Sequence, residues 1–249
     1  MKHHDLFNDK SKLYESSRPT YPDELYKHLS DLCSSKEKAW DCACGNGQAA
    51  ENLSSIFDKV VATDISEQQI KNAKNINNVE FSVSLAENTE FPDNSFDLIC
   101  VAQALHWFNF ETFWPEIKRV LKPNGIFSAW GYTLPTISDE LDSILQESIY
   151  DVIEPYWAPQ NKLLWDHYED VDFPFVKINS PNFTMEVDSN LNEFSDFIHT
   201  FSATRLCMKE QGDRFFEVAF DAISQIWGDI EQKKTISLGF TFYAGRMKT

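Results

Sequence analysis

Two hydrophobic periods alternate along the first half of the chain. "KAWDCA" (Lys38–Ala43) is a short apolar run that ends at Gly45. The stretch Gly47–Phe57 then sets Ala49, Ala50, Leu53, Ile56 and Phe57 at helical spacing. "KVVATD" (Lys59–Asp64) is β-branched and reads as a buried strand. Ser66 is a good N-cap for a helix over "SEQQIKNAKN", and Glu67 sits in the first turn, where the helix dipole favours an acid. "VEFSVS" (Val79–Ser84) alternates like a strand, and "FDLICVAQA" (Phe96–Ala104) is a continuous apolar run. Phe110–Lys122 is amphipathic, with Pro115 expected in its first turns. "PNG" (Pro123–Gly125) predicts a turn, and "IFSAWGY" (Ile126–Tyr132) another strand.

This order predicts an α/β chain: a parallel sheet with helices on both faces and right-handed crossovers. Ligands then bind at the carboxyl ends of the strands. The second half changes character. Asp139–Trp157 reads as a helix stopped near Pro155, and residues 157–178 show no clear period. Phe183–Val187 is a candidate strand, Asn190–Ser202 and Asp213–Trp227 are candidate helices, and Thr235–Met247 alternates as a C-terminal strand. The pattern is that of a cap packed on the sheet, followed by the return of the last strand.

Composition narrows the function classes. The 249 residues suit one large α/β domain, and 42% hydrophobic residues supply an ordinary core. A net charge of −17 repels phosphate backbones, so nucleic acid is a poor partner. No run reaches the roughly 18 apolar residues of a membrane span, and the N-terminal stretch has no apolar segment of a signal peptide. Cys33, Cys42, Cys44, Cys100 and Cys207 are odd in number and scattered, which fits a reducing cytoplasm.

Candidate chemistry concentrates in "AWDCACGNGQAA" (Ala39–Ala50). A metal site is disfavoured, because Cys42 and Cys44 have no second pair at zinc spacing; residues two apart in a strand share a face, so packing accounts for both. Gly45-Asn-Gly47-Gln-Ala-Ala50 follows a strand and opens a helix, as in a dinucleotide loop. Asp64 ends the next strand, where an acid accepts from two ribose hydroxyls. NAD and a nucleoside sulfonium both suit that geometry. Asp41 separates them, since a carboxylate at the strand's end repels a pyrophosphate and tolerates a cationic ligand such as S-adenosylmethionine (SAM).

"WDCACGNG", "VVATDIS", "SLAENTEFPDNSFDLICVAQALHWF" and "VLKPNGIFSAWGY", in that order, resemble the class I SAM-dependent methyltransferases. The chain is most similar to the type-11 group, which includes trans-aconitate methyltransferases and the yeast cantharidin methyltransferase. The resemblance implies a Rossmann-like, mostly parallel seven-stranded sheet with one antiparallel C-terminal strand and a helical cap. Residues 1–132 would be an N-terminal lid and cofactor core, 133–234 a cap or substrate region, and 235–249 the returning strand. Gly45 and Gly47 would line the loop under SAM, with Asp41 near its amino end. Asp64 would take the ribose, Ile65 would pack on adenine, and Ala86 and Glu87 would flank the adenine edge. Gln103 would sit beside the methionine portion. Tyr14 and Arg18 would form the lid, with Arg18 reaching the SAM carboxylate.

Two positions depart from the family pattern. Ala43 replaces the glycine that starts the loop motif, a change that is tolerated where φ is negative. Leu85 stands where relatives carry an acid for the adenine amino group. For the acceptor, "QALHWF" (Gln103–Phe108) offers His106 as a general base or orienting donor and Trp107 as pocket wall. Tyr21, from "RPTYP", and Arg205 are further acceptor-site candidates, Arg205 for an anionic group. The implied activity is methyl transfer to a carboxylate or hydroxyl oxygen of a small molecule. A SAM-binding module without catalysis and an NAD-dependent oxidoreductase are the alternatives.

Overall fold

The computed structural model describes residues 18–247, so the expectation for Tyr14 lies outside the described residues. A helix, α1 (Asp23–Leu32), precedes the first strand, β1 (Lys38–Cys42). Four more β-strands follow, namely β2 (Lys59–Asp64), β3 (Val79–Val83), β4 (Phe96–Ala102) and β5 (Leu121–Thr136). Helices α2 (Gln48–Leu53), α3 (Glu67–Asn72) and α4 (Phe110–Val120) connect them. Ser66 caps α3 as its sequence predicts, accepting from the Gln69 N–H.

Strand order is β3-β2-β1-β4-β5 with every neighbour parallel, and β8 (Lys234–Arg246) then runs antiparallel to β5. Among the described residues the sheet has eight strands in seven positions. The last position is shared: β6 (Val176–Lys177) pairs with one end of β8 and β7 (Met185–Ser189) with the other. Both run antiparallel to β8 and so parallel to β5. The order reverses at β1, whose neighbours β2 and β4 lead away in opposite directions. That is the switch point where an open α/β sheet leaves a crevice.

The apolar pattern explains the layers. Strands β1, β2 and β4 are buried on both faces, as near-continuous hydrophobic runs require. One face packs Trp40, Cys42 and Phe127 against α4, and the other packs Ala39, Ala62 and Trp130 against α1 and the cap.

Two local readings change. "PNG" is not a free turn but part of β5: Leu121 pairs with Phe96 and Ile126 with Leu98, so the residues between bulge out of register. Gly125 is needed there, because a Cβ would meet the Leu121 side chain at 2.6 Å. The helix beginning at Asp139 continues through a wide turn at Gln146–Tyr150 and ends in the tight turn that holds Pro155, where its sequence predicts a stop. The cap also holds a helix, α8 (Ser202–Gln211), that apolar spacing does not mark, since its buried positions are the small Ala203, Thr204 and Cys207. The other cap helices are α6 (Asn161–Trp165), α7 (Leu191–His199) and α9 (Arg214–Trp227), with α5 (Asp139–Leu145) leading into them. Helix α7 carries a complete capping box between Asn190 and Glu193.

Candidate functional site

The crevice holds a cavity of about 320 Å³ at the carboxyl ends of β1, β2 and β4. Its floor is the loop after β1. Ala43, Gly45 and Gln103 all border it, and all three have left-handed backbones, with φ of +57°, +57° and +58°. At Gly45 a side chain would project into open space, and no heavy atom lies within 4 Å of a Cβ built there. Gly47 does different work: it opens α2 at φ +92°, and a Cβ would strike the Phe81 ring at 2.6 Å. It lies off the cavity wall.

Ala43 corrects the sequence reading, because its φ is positive rather than negative. A left-handed alanine costs roughly 1–2 kcal/mol, partly offset by the lower entropy of the unfolded chain. Ala43→Gly is therefore expected to stabilise the protein by about 0.5–1 kcal/mol, seen as a melting temperature higher by roughly 1–4 °C. No gain would mean that neighbouring contacts already relieve the alanine. The same turn separates the two cysteines. β1 ends at Cys42, which packs on the α4 face, while Cys44 packs on the opposite one. Both are buried, but they do not share a face. Burial pushes the Cys44 thiol well up, with the Asp41 and Asp64 charges adding to it, so this cavity-lining thiol stays protonated. Among the described residues no group of three His, Cys, Asp or Glu side chains is placed to hold a metal.

Asp64 sits at the tip of β2 with both oxygens engaged: Oδ2 accepts from the Gly45 N–H at 2.9 Å and Oδ1 from the Ser66 N–H at 2.7 Å. A carboxylate oxygen can accept from more than one donor, so these bonds do not exhaust it. Ile65, Leu85, Ala86 and Glu87 continue the rim, and Ile65 and Leu85 are about half exposed. Asp41 stands behind the loop. It is fully buried and off the cavity wall; its Oδ1 accepts from the Cys100 thiol at 3.8 Å, and its Oδ2 is buried without a hydrogen-bond partner. Burial raises its pKa to about 7.

Gln103 forms a clasp. Its side-chain nitrogen donates to the Tyr132 carbonyl at 2.9 Å, and its oxygen accepts from the Tyr132 N–H at 2.8 Å. The Tyr132 hydroxyl accepts from Arg18 at 2.7 Å, and the guanidinium lies 5.7 Å from the Phe197 ring and 5.6 Å from that of Phe201. Tyr132 escaped the sequence reading, because it ends an apolar strand and carries no motif.

A second cavity, of about 90 Å³, lies beside the first. Arg18, Gln103, Trp107 and Tyr132 border both. His106 and Arg205 border only the small cavity, and Tyr21 only the large one of the two. His106 is 5% exposed; burial lowers its pKa to about 4, which keeps it neutral. Its Nδ1 is buried without a hydrogen-bond partner. The site thus unites most of the expected residues across β1, β2, β4, β5, the chain before α1 and the cap.

Known proteins share this sequence pattern and fold. A methyltransferase domain model matches residues 40–129. A methyltransferase candidate of Dictyostelium discoideum is 37% identical over 202 residues, covering 80% of this chain and 77% of that one. The chain belongs to the methyltransferase family. The Saccharomyces cerevisiae protein CRG1, named a probable S-adenosylmethionine-dependent methyltransferase, is 22% identical over 78% of this chain and 79% of its own. The solved structure of a type II methyltransferase candidate from Anaeromyxobacter dehalogenans superposes with a TM-score of 0.85 at 30% identity, over 92% of this chain and 97% of that one. SAM is the cofactor of SAM-dependent methyltransferases such as these, and the cavity fits it. Gly45 leaves room where a side chain would intrude, and Asp64 presents carboxylate oxygens at the tip of β2. Family membership removes the oxidoreductase alternative.

Proposed function

We propose that this chain transfers the methyl group of SAM to an oxygen, carboxylate or hydroxyl, of a small molecule. The shared wall carries this reading. A cofactor-sized cavity and a smaller one meet along Arg18, Gln103, Trp107 and Tyr132. A regulatory SAM-binding module needs no second cavity there. A small molecule suits the size of that cavity, and the charge of −17 disfavours a nucleic acid.

When bound, SAM supplies a methyl group already activated by the sulfonium, so positioning and dryness are the protein's main tasks. Asp64 holds the ribose hydroxyls, and the Ala86 N–H and the Ile65 side chain hold the adenine. Arg18 takes the SAM carboxylate, steered by its bond to Tyr132. Gln103 fixes Tyr132 and so keeps the wall between the cavities in place. Trp107 closes the acceptor side against water. Calorimetric titration with SAM and S-adenosylhomocysteine (SAH) tests the reading. Binding of both at one site per chain is expected, and binding of neither sinks it.

A further inference from the structure

The pairing of β4 with β5 ends at Ala102 and Trp130, and Gln103 then turns away with its left-handed φ of +58°. Its N–H still donates to the Trp130 carbonyl at 2.8 Å. The next residues of β5 have no strand beside them on this side, yet Tyr132 is paired at both its N–H and its carbonyl, at 2.8 and 2.9 Å, by the Gln103 amide. A side-chain amide offers a donor and an acceptor together, as a peptide group does, so it stands in for the strand residue that the turn removes. A left-handed backbone is unfavourable for a residue with a Cβ, and these two bonds offset that. The amide needs a slot. Gly131 precedes Tyr132 and is buried, and a Cβ there would lie 2.4 Å from Gln103 Oε1 and 2.6 Å from Leu164 Cδ1 of α6. An isolated glycine within a strand marks such a close approach. The leucine tip can swing aside. The amide cannot, because it is tied at both its oxygen and its nitrogen.

We infer that Gly131 is a positioning residue for the bound cofactor: it keeps open the slot for the Gln103 amide and so sets the wall between the two cavities. The inference rests on the reading that the large cavity holds SAM. Gly131 itself borders neither cavity, so it acts through Gln103. Gln103 and Tyr132 border both, and Ala102 and Ala104 on either side of Gln103 border the large one. A methyl group at position 131 displaces the amide. Two of the three hydrogen bonds that join Gln103 to β5 are then lost, and the left-handed turn relaxes. The cavity wall from Ala102 to Ala104 moves with it. Tyr132, whose hydroxyl accepts from Arg18 at 2.7 Å, loses its tie in the same event.

The test titrates SAH calorimetrically into four proteins: the parent, Gly131→Ala, Gln103→Ala and the double variant. Thermal melting of each is recorded alongside. Each single variant is expected to weaken SAH at least about fivefold, the scale of one lost hydrogen bond. Adding Gly131→Ala to Gln103→Ala should change SAH affinity by less than about twofold, because the oxygen that the methyl would strike is already gone. A role in packing alone predicts otherwise: a lower melting temperature with SAH affinity intact, or losses that multiply in the double variant. A smaller loss in either single variant overturns the inference, and so does a multiplied loss. If Gly131→Ala does not fold, the double variant is expected to fold again, and Gln103→Ala alone then gives the binding result. A double variant that also fails to fold places the collision elsewhere and overturns the inference. Failure of the parent protein to bind SAH is a separate result, which removes the cofactor reading itself.

Discussion

Asp64→Ala is expected to weaken SAM and SAH binding at least about a hundredfold in calorimetry. Hydrogen bonds to a charged acceptor contribute about 1.5–3 kcal/mol each, and a ribose diol makes two. Asp64 also holds the Gly45 and Ser66 N–H groups at 2.9 and 2.7 Å. Its removal therefore frees the loop beneath the cofactor as well as the contact above it. Asp64→Asn keeps one acceptor oxygen and should lose less, about tenfold. Melting temperature separates loss of binding from loss of fold. An alanine variant that binds SAM as the parent does would show that the ribose is not read at the tip of β2.

The second large effect concerns stability and pH. Asp41 is fully buried, and burial lifts its pKa from the ordinary 3.8 to about 7. Between those values the folded chain keeps a proton that the unfolded chain releases. Stability contributed by this group is therefore complete below about pH 4, falls as pH rises, and is gone above about pH 7. The full difference is about 4 kcal/mol. Asp41→Asn preserves shape and an acceptor oxygen for the Cys100 thiol while removing the charge. The ligand-free variant should exceed the parent in urea midpoint at pH 8, with the gap closing toward pH 4. Parallel curves for the two proteins would show that Asp41 does not titrate in this range.

Much of the cofactor half was legible because its residues are tied to backbone geometry. A glycine-rich turn after one buried strand and an acid at the end of the next fix their own positions in space. Ala43 marks the limit of that logic: its identity is plain in the sequence, but the sign of its φ is a property of the whole turn. Gln103 shows a second limit. Its place after β4 was legible, whereas its reciprocal bonds to Tyr132 depend on the pairing of β4 with β5. Asn161 gave no signal at all, because it lies in a stretch with no hydrophobic period, and only the structure brings it to the wall of the small cavity. The shared last position of the sheet was hidden for a similar reason, since β6 is two residues long and both of its residues are exposed.

That shared position also bears on how such an enzyme can be rebuilt. β6 and β7 arise within the same stretch as the cap helices, yet both are stitched to opposite ends of β8. Exchanging the acceptor region for that of a relative would leave β8 facing a foreign edge. A workable chimaera would have to begin after β5 and carry its own final strand, so the last thirteen-residue strand travels with specificity even though it lines neither of the two cavities.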